Sequence, residues 1–79
     1  MPIITVRVFD SEGNPAAGHR VVLSHGPLGY GGMSKPEYTD EDGVVTFEVD
    51  HGATGQVYVD GKEYDQWGAT TNPDVEVGL

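Results

Sequence analysis

Apolar and polar residues alternate with a period of two along most of this chain, and no helical spacing of useful length interrupts them. That period belongs to a pleated strand, in which successive side chains point to opposite faces. Each alternating run therefore commits one face to a core. In Ile3–Phe9 that face is Ile4, Val6 and Val8, with Thr5, Arg7 and Phe9 opposite. His19–His25 offers Val21 and Leu23, and Val44–Asp50 offers Val45, Phe47 and Val49. Gln56–Asp60 turns Val57 and Val59 inward, and Asp74–Leu79 places Val75, Val77 and Leu79 on one side. Phe47 is the clear aromatic of this inward set.

Turn chemistry separates the runs. Asp10-Ser11-Glu12-Gly13-Asn14-Pro15 is rich in residues that tolerate or pre-set turn dihedrals. Asp60-Gly61 is a hairpin signal, and Lys62-Glu63-Tyr64 reads as its return strand, followed by a loop over 65–73. Residues 26–37, GPLGYGGMSKPE, hold four glycines and two prolines and read as a long irregular connection with room for one short strand. Six or seven short strands joined by such turns predict an all-β fold, a small antiparallel β-sandwich forming one domain over 1–79.

A chain of 79 residues buries a modest fraction of its surface, and with no cysteine it has neither a disulfide staple nor a thiolate metal ligand. The net charge of −9 is uneven. Residues 1–35 carry Arg7, Arg20 and Lys35 against Asp10 and Glu12, whereas residues 36–79 carry eleven acids against Lys62 alone. Such a surface repels phosphate backbones, so nucleic acid is not an expected partner; cations or a basic protein fit better. No apolar run has the roughly 18 residues of a membrane helix, so insertion is not expected. No secretion-signal pattern is visible, which suits a cytoplasmic protein if the chain is full length and an extracellular or cell-surface one if it is an excised domain.

The order of features resembles a known family. VRVFDSEGNPAAGHRVVLS followed by YTDEDGVVTFEVDHG is similar to the carboxypeptidase-regulatory-like and transthyretin-like β-sandwich domains, which are Ig-like in architecture. Asp10, Gly13, Pro15, Gly18, Val21, Leu23, Thr39, Asp40, Asp42, Gly43, Phe47 and Val49 follow that pattern in order, over about three-quarters of the chain. The resemblance implies a sandwich in which T-D-x-D-G is the tight turn before a central strand. It carries little about function, because a fold hosts many activities. The hydroxyisourate hydrolases of this group have a catalytic histidine on the first strand and a closing Y-R-G-S motif. Arg7 falls at the histidine position and the chain closes VEVGL, so that activity is not expected.

No other chemistry assembles from the sequence. Asp40 and Asp42 are weak calcium candidates, being hard oxygen ligands without the further carboxylates and closing Glu of a calcium loop. His19 and His25 lie about 20 Å apart along one strand and cannot share a metal unless the strand ends and folds back, and His51 sits in a turn beside Asp50. An intramolecular isopeptide bond needs a lysine on the first strand, where Arg7 stands instead. The expectation is a protein without catalytic residues, cofactor or metal.

Contact with other molecules is the better prospect. Tyr30 and Met33 in one glycine-rich segment, and Tyr64 and Trp67 in another, are candidates for flat contact with proteins or sugars. Trp67 and Tyr64 have a competing use, covering the open end of a thin core. Unpaired sheet edges offer self-association or docking on a larger assembly, and the outward Ile3, Val22 and Val44 hint at a less polar surface. The function expected is thus a non-catalytic binding or structural module, with a homo-oligomer or larger assembly as its setting. The alternative is a small acidic inhibitor or decoy of a basic partner, using Glu37, Asp40, Glu41, Asp42 and Asp50 as its face.

Overall fold

The computed structural model of the protein describes residues 2–26 and 32–79. Seven strands follow one another: β1 (Ile3–Phe9), β2 (Arg20–Leu23), β3 (Glu37–Tyr38), β4 (Val44–Glu48), β5 (Thr54–Val59), β6 (Lys62–Gly68) and β7 (Asp74–Gly78). They form two sheets, one ordered β4-β1-β7 and the other β3-β2-β5-β6. The protein is an all-β sandwich, as the alternation predicts.

The inward faces meet in a single buried cluster. Ile4, Val6 and Val8 of β1, Val45 and Phe47 of β4, and Val75 and Val77 of β7 oppose Val21 and Leu23 of β2 and Val57 and Val59 of β5. Val49 and Ala16 join from outside the strands. Each large aliphatic side chain buried this way contributes about 1.5–3 kcal/mol against the entropy of ordering the chain.

Several details depart from the sequence reading, among them Leu79, which is 36% exposed and outside the core that takes Val75 and Val77. The strand β6 runs to Gly68, so residues 65–68 are strand and not loop. Its Trp67 is 2% exposed and lies in the core, which therefore holds a second aromatic beside Phe47. Val22 is buried, although its parity on β2 points it away from the other sheet. Finally, β7 pairs with β1 in parallel, from Thr5–Asp74 to Phe9–Gly78, while every other neighbouring pair is antiparallel. The chain reaches β7 from β6 in the opposite sheet, so no hairpin dictates the direction of β7.

Candidate partner-binding surface

The acidic corner is built twice in this molecule. Oδ1 of Asp40 accepts the N–H groups of Asp42 (2.9 Å) and Val44 (3.0 Å). The Asp40 carbonyl accepts Gly43 N–H (2.9 Å), and Asp40 N–H donates to Val44 O (3.1 Å). Asp10 repeats the arrangement: its Oδ1 accepts Glu12 and Asn14 N–H, each at 2.9 Å, and its carbonyl accepts Gly13 N–H at 3.0 Å. D-x-x-G-x is thus one local solution used at two corners, with a carboxylate standing in for missing backbone acceptors. Both glycines have positive φ, 85° at Gly13 and 72° at Gly43.

At the second corner the neighbouring residues are also fixed by packing. Thr39 is buried; its hydroxyl donates to Ala16 O at 2.7 Å and accepts His19 N–H at 3.0 Å. A Cβ on Gly43 would stand 2.6 Å from the Val8 carbonyl oxygen. Thr39, Asp40 and Gly43 therefore hold the start of β4 against the end of β1, while Glu41 and Asp42 project into solvent. Asp40→Ala is expected to cost about 1–2 kcal/mol by removing the acceptor of two backbone donors. Glu41→Ala and Asp42→Ala should stay within about 0.5 kcal/mol. Urea midpoints in the presence and absence of calcium test this; a calcium-dependent midpoint would refute the purely structural role of the corner.

The sequence candidates for contact separate in space. Tyr30 lies outside the described residues. Met33 is 61% exposed, near the end of β2 where it bridges Ser24. Tyr64 is partly exposed for a specific reason. Val57 pairs with Asp65 and Tyr58 with Glu63, so Tyr64 is the extra residue of a β-bulge and is pushed out of the ladder. Lys62 Nζ lies 5.6 Å from its ring centroid.

Trp67 offers no face for a sugar or a protein partner. It packs over Gly55, its Nε1 donates to Ser24 O at 2.9 Å, and His25 meets it edge-on with ring centroids 5.3 Å apart. Its role is to close the end of the sandwich. A cleft of about 570 Å³ adjoins it, with Gln56, Asp65, Thr71 and Asn72 among its walls. No buried side-chain polar atom among the described residues lacks a partner.

The histidines stay apart. His51 is exposed in the turn after β4, and His25 belongs to the Trp67 end. His19 Nδ1 lies 2.8 Å from Oδ2 of Asp60, a contact that joins the start of β2 to the β5–β6 hairpin. Among the described residues, no three His, Asp or Glu side chains are grouped to hold a metal ion. Asp60 occupies the left-handed region at φ 54°, as the Asp60-Gly61 turn requires. The hydrogen bond from His19, aided by Arg20 N–H at 3.3 Å, holds the Asp60 carboxyl below its ordinary value.

A depressed folded-state value means that the Asp60 carboxylate stabilises the fold above the unfolded value of about 3.9 and loses that contribution as pH falls through the folded one. Asp60→Asn keeps the turn, because Asn tolerates positive φ. The acid limb of stability should therefore be shallower in Asp60→Asn than in the wild type, by a small margin because the Asp60 side chain is 54% exposed. Urea midpoints between about pH 5 and 2, at low and high salt, give the comparison; parallel limbs would refute it.

The sheet edges are unequal in what they leave unpaired among the described residues. The edge strand β3 has only two residues. Along β6, the outward groups of Gly68 are taken by Asn72, through N–H to O bonds of 3.1 and 3.0 Å. Gln66 O accepts Asn72 Nδ2 at 2.9 Å, and Gln66 N–H donates to the Asp65 carboxylate at 2.8 Å. On β4, the turn at Asp40 consumes both outward groups of Val44 and leaves those of Thr46 and Glu48. Along β7, Thr5 N–H bonds Pro73 O and Leu79 N–H bonds Phe9 O, both at 2.8 Å. Residues 75 and 77 therefore aim their backbone groups at β1, and Asp74, Glu76 and Gly78 aim theirs outward. Nothing in the sequence marks this inequality except the side-chain amide and carboxylate near β6.

No protein-family model matches the chain, and no curated protein matches it.

Proposed function

We propose that this protein is a non-catalytic β-sandwich module that works by contact with another chain, and that it is a relative of the carboxypeptidase-regulatory-like and transthyretin-like domains. The observation that carries the reading is the uneven treatment of the sheet edges. The edges of the four-stranded sheet are short or blunted by Asn72 and Asp65, while those of the three-stranded sheet keep unpaired outward backbone groups among the described residues. Exposed edges are ordinarily suppressed because they recruit strands. The two D-x-x-G-x corners and the apolar set that follows them support the family assignment.

A second reading, an acidic decoy for a basic protein, is favoured by the exposure of Glu37, Asp40, Glu41, Asp42 and Asp50. Salt distinguishes the two, since contacts between exposed charges weaken as ionic strength rises. Light scattering at low and high salt, with and without calcium, is the test. A salt-resistant oligomer supports assembly through the edges. A monomer whose capture of a basic protein vanishes in salt, with no edge-strand amide protected from exchange on binding, supports the decoy. A mass change only with calcium overturns both readings and makes metal-dependent binding the function.

A further inference from the structure

The edge of β7 has a charge as well as an opening. Its side chains alternate, with Val75 and Val77 in the core and Asp74 and Glu76 exposed on the outer face. Across the sandwich β6 packs against β7 and carries Glu63 and Asp65, both exposed, with Lys62 as its cation. The Lys62 ammonium sits over Tyr64, and the nearest cation on β1, Arg7, is 3.8 Å from Asp74. A strand added to β7 would place residues opposite Asp74, Glu76 and Gly78 at about 5.5 Å between Cα atoms. A second copy of this chain suits that position poorly. Antiparallel pairing of β7 with itself would set Glu76 against Glu76, and each chain carries a net −9.

We propose that the outer edge of β7 receives an extended basic segment of another protein as an added strand, with Lys or Arg at alternate positions opposite Asp74 and Glu76. The inference rests on the reading of the protein as a binding module and names its partner. Backbone pairing supplies the hold and the alternate cations set the register. The residues between the cations would point toward the sandwich interior beside Val75 and Val77 and are expected to be small or apolar.

The test uses the whole protein and an acetylated peptide in which lysine alternates with threonine and valine. Amide exchange should slow at Asp74, Glu76 and Gly78 on binding, by about tenfold or more. Glu76→Lys should weaken binding about three- to tenfold, consistent with one cross-strand charge reversed. Glu76→Pro is the sharper variant. The Glu76 N–H points away from β1, so proline there removes the central donor and spares the β1 ladder; edge strands tolerate such a residue. Its urea midpoint should stay near that of the wild type while peptide binding is lost. Protection at Thr46 and Glu48 instead, or undiminished binding by Glu76→Pro, would overturn the assignment to β7. Absence of peptide binding at low salt overturns it too. In that case a salt-resistant oligomer would leave the module reading standing, and a monomer that captures nothing would remove both.

Discussion

Gly55→Ala is expected to destabilise the protein by about 3 kcal/mol or more, beyond the usual range for one added methyl group in a packed interior. A chain of this length has a total stability of roughly 4–12 kcal/mol, so much of the margin would go. Backbone preference is not the cause, because Gly55 lies within β5 and has no positive φ. Space is the cause. A Cβ at Gly55 would fall on the carbonyl group of Ser24 and 2.8 Å from Trp67 Nε1. The Ser24 carbonyl belongs to the backbone and is itself held by the indole N–H. Nor can the two strands separate locally. Ser24 N–H bonds Gln56 O at 2.9 Å and Gly26 N–H bonds Thr54 O at 2.7 Å, on either side of the obstruction. Gly78→Ala is the matched control, since a Cβ there meets nothing within 4 Å. Urea unfolding followed by circular dichroism gives the comparison. A Gly55→Ala midpoint close to that of Gly78→Ala would show that β2 and β5 yield more easily than their hydrogen bonds imply.

How much of this could be read beforehand differs from strand to strand. The strand β1 was legible to the residue, because Ile4, Val6 and Val8 alternate with Thr5, Arg7 and Phe9 and every one of the three is buried. The inward valines of β4, β5 and β7 were legible for the same reason. On β2 and the residue after it the pattern failed in part: Val22 and Ser24 are buried as well as Val21 and Leu23, so parity there does not separate inside from outside. On β6 it failed more fully. Lys62, Glu63, Tyr64, Asp65 and Gln66 are all exposed on a bulged edge strand, which leaves no alternation to detect. The parallel pairing of β7 and the His19–Asp60 contact join residues far apart in sequence and have no local signature. The T-D-x-D-G corner was legible as a turn, and its hydrogen bonds are those of an Asx turn. The open edge of β7 was not, because an edge is defined by what fails to pair with it.

Loss of the indole should be the other large effect. Trp67→Ala is expected to cost about 3–5 kcal/mol, the range for truncating a buried aromatic side chain. Trp67→Phe keeps most of the packing and removes only the donor, and its interest lies in Ser24. The Trp67 N–H takes the Ser24 carbonyl oxygen that would ordinarily accept Gln56 N–H in the ladder. The Ser24 hydroxyl fills the vacancy, accepting Gln56 N–H at 3.0 Å while donating to Gln56 Oε1 at 2.7 Å. Ser24→Ala in the wild type therefore leaves a backbone donor without an acceptor, at a cost of about 1–3 kcal/mol. With phenylalanine at position 67 the Ser24 carbonyl is released and can turn back to Gln56 N–H, so Ser24→Ala should cost less there. The double variant is expected to be more stable than the sum of the singles predicts, by about 1 kcal/mol, as happens when two residues serve one network. Urea midpoints for the four proteins of the cycle decide it. Strict additivity would mean that the Ser24 hydroxyl and the Trp67 indole act independently, and that the ladder at this end does not need the exchange of acceptors between them.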